Sequence, residues 1–311
     1  MAILVIKHSA LGDIILALPL LRAIRQHHAG ERIVLLTTAP YVDLLQRSGL
    51  ADEIWIDPRP KFWQPLRLLA LLRRMRGGSF SRIYDLQGSQ RTKGYYRLLG
   101  APAESWVGNA SGCRYHIPDP TGPMHISELR RRQLALVGIP DPGLPDLDFL
   151  QSDMARFGLP ERFALLVPGG APHRPAKRWP AHRFAALGHH LLQQGIVPVL
   201  IGRAAEQAEI AEIQAVCPEA ISLCDKTSIA DLAALGRAAA LCVGNDTGPM
   251  HIIAAARCPS LVLYSAESDP RKVSPRGDWV RLLQRPSLQD LGVEDVVAAL
   301  PAIKNDLIIP T

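Results

Sequence analysis

The stretch from Leu241 to Ala256, LCVGNDTGPMHIIAAA, carries residue types that suit phosphate binding. A short apolar run followed by glycine predicts a buried strand and a turn, and the proline after the turn is typical of a helix start. The N–H groups of such a turn and the positive end of the helix dipole point to one place, which favours an anion. The alternative is an ordinary helix N-cap with a half-exposed histidine. The candidate ligands are Asp246, Thr247, Gly248 and His251.

Two further clusters follow predicted strands in the same half of the chain. Glycines after Val167 allow a ligand to approach the backbone closely, and Lys177 lies a few residues on, as a candidate phosphate contact. Glu206 follows a strand that ends at Ile201. Its carboxylate either complements a helix dipole or accepts hydrogen bonds from a ribose, as in nucleotide-binding folds. The three clusters together favour a nucleoside-diphosphate donor.

The basic residues are concentrated in one segment. From Arg59 to Arg97 there are ten lysines or arginines and one acid, Asp85, in a chain whose net charge is +6. Such a segment attracts nucleic acid, anionic lipid or a phosphorylated substrate, the alternative being a solvated helix face. No nucleic-acid-binding motif is present, so nucleic acid is not expected as a partner.

Strands and helices alternate along the whole chain, which predicts parallel sheets in a doubly wound α/β fold. The opening strand, loop and helix lack the GxGxxG fingerprint, so nicotinamide binding has weak support. The predicted strands are Ala2–Ile6, Ile33–Thr37, Glu53–Ile56, Arg82–Leu86, Phe163–Val167, Val197–Ile201, Ile221–Cys224, Ala239–Val243 and Ser260–Tyr264. The predicted helices are Ile14–Ile24, Tyr41–Arg47, Pro65–Met75, Ser89–Leu99, Ser127–Val137, His182–Gln194, Ala205–Val216, Ile229–Ala238, Pro249–Ala256 and Val293–Ala302.

A length of 311 residues predicts two domains. The segment Gly138–Gly158 is rich in proline, glycine and aspartate and reads as the linker, which places the domains at 1–155 and 156–311. The last helix is a candidate to pack back on the N-terminal domain. Within the linker, Asp146 and Asp148 form a DxD triplet, interpreted as surface loop residues with metal binding as the alternative.

The remaining composition indicates a cytoplasmic protein. The five cysteines have no CxxC spacing and are expected to be reduced thiols. The adjacent histidine pairs lack metal-ligand spacing. No apolar run approaches the roughly 18 residues of a membrane span, and no signal peptide is recognisable at the N-terminus.

These motifs resemble the lipopolysaccharide heptosyltransferase family, which transfers heptose from ADP-heptose to the inner core of lipopolysaccharide. The resemblance covers nearly the whole chain and implies the GT-B architecture, with two Rossmann-like domains and a cleft between them. The donor then binds the C-terminal domain and the acceptor the N-terminal one. The matching pieces are Lys7-x-Ser9-x-x-Gly12-Asp13, Asp85-Leu86-Gln87-Gly88, Pro168-Gly169, Lys177-Arg178-Trp179-Pro180 and Asp246-Thr247-Gly248-Pro249-Met250-His251.

The resemblance also implies roles for single residues. Asp13 would be the general base of an inverting transfer, with helix capping as its alternative role. His8 is a candidate to assist it, unless its side chain is simply exposed. Lys177, Thr247 and Gly248 would hold the diphosphate, Glu206 the ribose, and Asp246 and His251 would shape the donor pocket. No metal and no further cofactor are expected, because cationic side chains and helix N-termini replace a divalent ion.

The acceptor implied by the resemblance is an anionic, lipid-linked glycan, which fits the basic segment. Contact of the protein with the cytoplasmic face of the inner membrane is compatible with such an acceptor. The residues assigned to acceptor binding are Lys7, Arg59, Lys61, Gln87 and Arg91.

Two donor-side segments depart from the family pattern, namely Pro172–Pro175 and Ser265–Glu267. Donor identity is therefore less firmly implied than the fold or the reaction class. Three alternatives stay open: a GT-B transferase with another nucleotide sugar or glycan acceptor, a sugar-nucleotide epimerase, and a non-catalytic member that binds a nucleotide or glycolipid.

Overall fold

The computed structural model describes residues 2–61, 63–170 and 174–300. The chain divides into two compact units, Met1–Pro145 and Asp146–Thr311. Each unit is built on one parallel six-stranded sheet with helices between the strands. The predicted α/β class, with two doubly wound halves, is confirmed.

The sheet of the first unit has the order β3-β2-β1-β4-β5-β6. β1 (Ala2–Ile6) lies in the middle and is apolar and buried along its whole length, as expected of a strand covered by helices on both faces. The other strands are β2 (Arg32–Thr37), β3 (Glu53–Ile56), β4 (Phe80–Asp85), β5 (Trp106–Gly108) and β6 (Tyr115–His116). The helices are α1 (Leu11–His27), α2 (Val42–Arg47), α3 (Pro65–Gly77), α4 (Gln90–Leu99) and α5 (Ile126–Ala135).

The sheet of the second unit has the order β12-β11-β10-β7-β8-β9, which is the same arrangement when its strands are counted from β7. The strands are β7 (Phe163–Val167), β8 (Val197–Leu200), β9 (Ile221–Ser222), β10 (Leu241–Asn245), β11 (Ser260–Tyr264) and β12 (Val280–Gln284). The helices are α6 (Ala181–Gln193), α7 (Gln207–Val216), α8 (Ile229–Ala238), α9 (Gly248–Ala255) and α10 (Val293–Ala298).

This strand order fixes where ligands bind in each unit. In an open parallel sheet, the loops after the two strands on either side of the point where the order reverses splay apart and leave a crevice. In the first unit those strands are β1 and β4, and in the second they are β7 and β10. The motifs Lys7–Asp13, Asp85–Gly88, Pro168–Gly169 and Asp246–His251 begin at the ends of these four strands, whereas Glu206 follows β8 and Arg59 and Lys61 follow β3.

The segment after Pro145 belongs to the second unit. Leu147 and Leu150 are both 1% exposed, and their carbonyl oxygens accept hydrogen bonds from the Arg237 guanidinium of α8. The units therefore divide ten residues before the boundary expected from composition, because the proline-rich segment carries two buried leucines whose carbonyl groups are held by α8 of the second unit.

The last described helix, α10, also packs within the second unit. Val296 is fully buried in the same core cluster as Trp179 and Phe184, and α10 contacts α6. The last two residues of the predicted helix Val293–Ala302 lie outside the described residues. None of the helices described is long and apolar enough to cross a bilayer. All five cysteines are buried thiols that form no disulfide bond.

Candidate functional site

A cavity of about 350 Å³ lies at the switch point of the second unit. Glycine loops after β7 and β8 form one side of it, and the start of α9 forms another. The cavity brings together five of the six predicted donor-binding residues, which are Lys177, Glu206, Asp246, Thr247 and Gly248. His251, the sixth, does not line the cavity and is 4% exposed within α9.

Lys177 and Asp246 form an ion pair at the cavity wall. The Lys177 Nζ donates to Asp246 Oδ2 at 3.0 Å, and the Ser268 hydroxyl donates to the same oxygen at 2.8 Å. The side chains of Lys177 and Asp246 are mostly buried, with 15% and 17% of their surface exposed. A lysine ammonium has three N–H donors, so the pair fixes the position of Lys177 and leaves it able to donate to a phosphate.

The start of α9 has no side-chain cap. Thr247 is the N-cap residue, but its hydroxyl donates back to the Asn245 carbonyl at 3.2 Å instead of accepting from the first turn. The alternative interpretation of this stretch, an ordinary capped helix, is therefore wrong. Uncapped N–H groups and the helix dipole favour an anion beside Thr247 and Gly248.

Glu206 lies against the two glycine turns of the cavity. A Cβ atom added at Gly169 would lie 3.1 Å from the Glu206 Cγ, and one at Gly202 would lie 2.6 Å from Ile210 and 3.1 Å from Glu206. Glycine at these two turns thus leaves room for the Glu206 side chain to lie close to the backbone. The Oε2 atom of Glu206 accepts from the Arg203 N–H at 2.9 Å, so the dipole-complementing role is present in the structure.

Asn245, at the end of β10, connects this strand to the long loop between β7 and α6. It is fully buried, and its Nδ2 donates to the carbonyl oxygens of Pro168 and Gly169 at 2.8 and 3.1 Å. Its Oδ1 accepts from the Trp179 N–H at 3.2 Å. Asn245 is not among the residues for which the sequence predicts a role. A polar amide directly after an apolar strand was the available signal.

Asp13 lies in the first turn of α1 and is 28% exposed. Its Oδ2 accepts from the Ala10 N–H at 3.2 Å and lies 3.7 Å from the Lys7 Nζ. The carboxylate therefore caps the helix start, while part of it remains open to solvent. This geometry is compatible with both roles considered for Asp13.

Lys7 is buried beside Asp13 and does not lie on an open surface, because only 5% of its side chain is exposed. Burial lowers its pKa to about 8, with the nearby Arg130 contributing in the same direction. The carboxylates of Asp13 and Asp85 oppose this effect. The charge of Lys7 is thus sensitive to pH slightly above neutrality.

Arg130 of α5 completes this cluster and was not foreseen. It is 4% exposed. Its guanidinium donates to the Gln87 carbonyl at 3.1 Å and to Gln133 Oε1 at 2.7 Å. Asp85 is fully buried, and burial raises its pKa while the Arg130 charge and the Gly88 N–H oppose the increase. No local motif could reveal this partnership, since Arg130 is 45 residues from Asp85 in the sequence.

Gln87, a predicted acceptor-binding residue, uses its side chain to hold the loop after β1. Its Oε1 accepts from the N–H groups of His8 and Ser9 at 2.9 and 3.3 Å. The Gln87 backbone in turn donates to Asp85 Oδ1 at 3.1 Å. The glutamine therefore links the loops after β1 and β4.

His8 is 2% exposed, so the expectation of a solvent-exposed histidine is wrong. Its Nε2 lies 3.0 Å from Asp57 Oδ2, the oxygen to which the Tyr95 hydroxyl donates at 2.7 Å. Burial raises the pKa of Asp57, but the hydrogen bonds from His8 and Tyr95 outweigh it and leave that pKa lowered. His8 thus faces β3 and α4 in a buried polar network.

The other three predicted acceptor-binding residues come together around the loop after β3. The Arg59 N–H donates to Asp57 Oδ1 at 2.7 Å, and the Arg91 guanidinium donates to the Pro60 carbonyl at 3.0 Å. Lys61 is exposed, with its Nζ 4.8 Å from the centre of the Trp63 ring. These cations form a group at the carboxyl end of the first sheet.

Asp146 and Asp148 do not form a metal centre with a third ligand among the described residues. The Asp148 N–H donates to Asp146 Oδ1 at 2.8 Å, which forms a local turn. The Asp148 Oδ2 lies 3.8 Å from Arg257 Nη2. Of the described histidines, cysteines and acids, His189, Cys217 and Glu219 form the group whose ligand atoms lie within 4.8 Å of one another.

The model of glycosyltransferase family 9 (heptosyltransferase) matches residues 68–292. The chain belongs to this family. The match contains all the donor-side residues described above, whereas Lys7, Asp13 and the Arg59–Lys61 loop precede it.

Individual relatives agree with this membership. Lipooligosaccharide heptosyltransferase 2 of Haemophilus influenzae is 33% identical over 120 residues, which cover 37% of this chain and 34% of that protein. The chain thus matches about a third of the length of this curated relative. Lipopolysaccharide heptosyltransferase 1 of Campylobacter coli is 24% identical over 296 residues, covering 86% and 84%.

Among solved structures, the E. coli ADP-heptose lps heptosyltransferase II superposes with a TM-score of 0.74 at 23% identity. The alignment covers 96% of this chain and 97% of that one. At this identity the similarity shows a shared fold. It places this family member in the GT-B architecture implied by its sequence.

Proposed function

We propose that the chain transfers a heptose from ADP-heptose to the inner core of lipopolysaccharide, with inversion at the anomeric carbon. The observation that carries this proposal is the cavity of the second unit, where a lysine, an uncapped helix start and a carboxylate converge. The names of the relatives support the choice of sugar, since they describe heptosyltransferases that include an ADP-heptose enzyme.

The donor lies in the cavity with its diphosphate between Lys177 and the turn at Thr247 and Gly248. Lys177 keeps its bond to Asp246 and donates a second N–H to a phosphate oxygen, while the α9 dipole favours the same charge. Glu206 accepts from a ribose hydroxyl while one of its oxygens stays with Arg203. Apolar lining residues, among them Ile201 and Leu232, flank the base. His251 supports this pocket from within α9.

Asp13 acts as the general base. Its carboxylate takes the proton of the acceptor hydroxyl while the hydroxyl oxygen attacks the anomeric carbon. The bond from that carbon to the phosphate oxygen breaks, and its electron pair leaves with ADP. Lys177 and the start of α9 stabilise the negative charge that develops on the leaving diphosphate. The Lys7 Nζ, 3.7 Å from Asp13 Oδ2, places a positive charge beside the reacting carboxylate at pH values below the pKa of the lysine.

The acceptor is an anionic, lipid-linked glycan bound by the first unit. Arg59, Lys61 and Arg91 supply exposed or half-buried positive charge around one loop. Lys7 contributes at the base of the site, and Gln87 acts by fixing the backbone of the loop that leads to Asp13. This acceptor also implies that the enzyme works in the cytoplasm, at the inner membrane surface.

We also propose that transfer needs no metal ion, because Lys177 and α9 provide the positive potential that a divalent ion would supply. EDTA is expected to leave the initial rate unchanged. Loss of activity in EDTA and its recovery with Mn²⁺ would contradict this and direct attention to Asp146 and Asp148.

Mass spectrometry of the core oligosaccharide from a strain lacking the gene tests the function. We expect the core to lack one heptose and everything attached beyond it, and the wild-type gene to restore it. Asp13→Asn should be expressed at the wild-type level without restoring the core. An unchanged core in the deletion strain would contradict the proposal.

A further inference from the structure

Helix α3 of the first unit has an apolar face that its own core does not use. The residues that pack on the sheet recur at helical spacing and are Leu68, Leu71, Leu72 and Met75. Leu66 is 80% exposed and Leu69 is 38% exposed. At 100° per residue, Leu66 lies about 200° from Leu68, which directs it away from the core.

An aromatic residue extends this apolar face before the helix begins. Trp63 is 58% exposed, and the ammonium of Lys61 lies 4.8 Å from its ring centre. Tryptophan is enriched at membrane interfaces because its ring is apolar and its N–H remains polar. A tryptophan and two leucines are thus exposed within seven residues, and among the described residues Trp279 is the other large aromatic with a comparable exposure.

The charge of α3 is of one sign. The helix contains four arginines and no acid. Arg74 lies 4.1 Å from the Trp55 ring centre and 3.5 Å from Glu53, and Arg76 donates to the Leu98 carbonyl. The other two, Arg67 and Arg73, are exposed, and no ion pair joins them to an acid in the described parts of the chain.

We propose that Trp63, Leu66, Arg67, Leu69 and Arg73, the α3 face, dock the protein on an anionic phospholipid bilayer. A basic helix that exposes leucine and tryptophan has the composition of helices that lie in the membrane interface. Leucines enter the acyl boundary, and the arginine side chains extend to the phosphates. The proposal rests on the proposed function, since it explains how the enzyme reaches an acceptor anchored in lipid.

A second copy of the chain suits this face less well than a bilayer. A two-fold contact would place the same face on both sides, so that the arginines of α3 would face a helix that also carries arginines and no acid. Like charges that face each other across an interface oppose association. An anionic surface instead satisfies the apolar and the basic residues together. The acceptor-binding Arg59 and Lys61 immediately precede this face in the chain.

Vesicle sedimentation of the full chain tests the docking. The probes are vesicles of phosphatidylcholine alone and of phosphatidylcholine with phosphatidylglycerol, both without acceptor. We expect the wild type to bind the anionic vesicles in a salt-sensitive way and the neutral ones weakly. Leu66→Ser/Leu69→Ser should weaken binding by roughly tenfold or more, and Arg67→Gln/Arg73→Gln by about fivefold per charge.

Leu136→Ser/Leu144→Ser is the matched control, because these leucines are 46% and 42% exposed and lie outside the α3 face. It should bind vesicles like the wild type. Thermal melts of all variants report whether the fold is kept. Absence of binding to anionic vesicles by the wild type, or equal binding by the α3 and control variants, would overturn the docking. A wild-type dimer that the α3 substitutions dissociate would overturn it in favour of a second copy.

Activity on a lipid-free core oligosaccharide separates this proposal from the proposed function. The α3 variants should transfer heptose to that soluble acceptor at the wild-type rate, because the α3 face contributes nothing to chemistry. A wild type that binds anionic vesicles but transfers no heptose to any acceptor would contradict the function and leave the docking intact. A wild type that transfers heptose but does not bind anionic vesicles would contradict the docking and leave the proposed function intact.

Discussion

The two units share one strand order, but their switch points are filled differently. In the second unit, the loops after β7 and β10 border a cavity of about 350 Å³. In the first unit, the crevice between Lys7, Asp13 and Arg130 has only about 10 Å³, roughly the space of one water molecule.

Side chains account for this difference. At Gly88 of the first unit, the Arg130 guanidinium occupies the space that a Cβ atom would take. This side chain therefore packs directly against the loop after β4. At Gly169, after β7 of the second unit, the neighbour of an added Cβ atom would instead be Glu206, which lines the cavity. One topology therefore supports a preformed pocket in one unit and a packed network with a partly open carboxylate in the other.

This difference fits the proposal that the second unit binds the donor and the first unit binds the acceptor. A preformed cavity that holds a lysine and a helix start without a side-chain cap suits a compact, charged donor that must be held tightly. A shallow surface with one accessible carboxylate and cations at its rim suits a large acceptor that contributes a single hydroxyl. Substitutions confined to one unit should therefore affect either the donor or the acceptor.

The largest effect is expected at Asp13. Asp13→Ala should reduce kcat by about 10²–10⁴-fold, the usual contribution of a positioned base, while ADP affinity stays unchanged. Asp13→Asn keeps an acceptor for the Ala10 N–H and should lose kcat equally, whereas only the alanine variant loses the roughly 1 kcal/mol of the helix cap. Near-normal turnover in Asp13→Asn would leave Asp13 with capping alone.

Lys177→Ala comes next and affects the second unit. Removal of a charge-assisted hydrogen bond to phosphate should weaken ADP binding by roughly tenfold to a hundredfold, measured by calorimetry. Lys226→Ala, an exposed lysine of the same unit outside the cavity, is the control. Unchanged ADP affinity in Lys177→Ala would show that the diphosphate lies elsewhere.

Lys7 should give the reaction an alkaline limit. Its pKa of about 8 means that its charge beside Asp13 is lost as the pH rises through that value, so kcat/KM should fall there. Lys7→Met should lower kcat/KM below pH 8 and abolish the alkaline limb of the pH profile, which is the fall of kcat/KM above about pH 8. Persistence of the same limb in Lys7→Met would assign it to another group.

The same shift has a consequence for stability. The unfolded chain keeps the Lys7 proton up to its ordinary pKa of 10.5, so between pH 8 and 10.5 it binds more protons than the folded chain. Stability of the wild type relative to Lys7→Met should therefore rise with pH over that window. Denaturant titrations at several pH values measure it.

The smallest effect is expected at the rim of the first unit. Neutralising Arg59, Lys61 and Arg91 together should raise the acceptor KM severalfold and flatten its dependence on salt, since each exposed contact contributes less than about 1 kcal/mol. ADP affinity should not change, because Lys177 and the α9 start are untouched. Weaker ADP binding with normal acceptor kinetics would mean that the two units have been assigned the wrong way round.

The sequence predicted those parts of the fold and site that follow from local patterns. Apolar runs followed by glycine located the strands at the switch points, and small polar residues after them located Lys177, Glu206 and the Asp246–Gly248 turn in one cavity. Strand ends meet at one edge of a parallel sheet, so these local signals were enough.

Features that depend on tertiary contacts were missed. β5 and β6 are three and two residues long, and β12 is an edge strand with mostly exposed side chains, so none shows a clear apolar pattern. The buried position of His8 involves Asp57, the first residue after β3, and Tyr95 of α4. Asn245 and Arg130 likewise acquire their partners only when distant segments pack.

Incubation of the purified chain with ADP-heptose and a lipid-linked inner-core acceptor tests the central claim most directly. Mass spectrometry should show the acceptor gaining one heptose residue, and chromatography should show an equal amount of ADP released, with neither product formed by Asp13→Asn. An ADP-sugar that is consumed or isomerised equally well without acceptor, or that is bound without any turnover, would contradict the account.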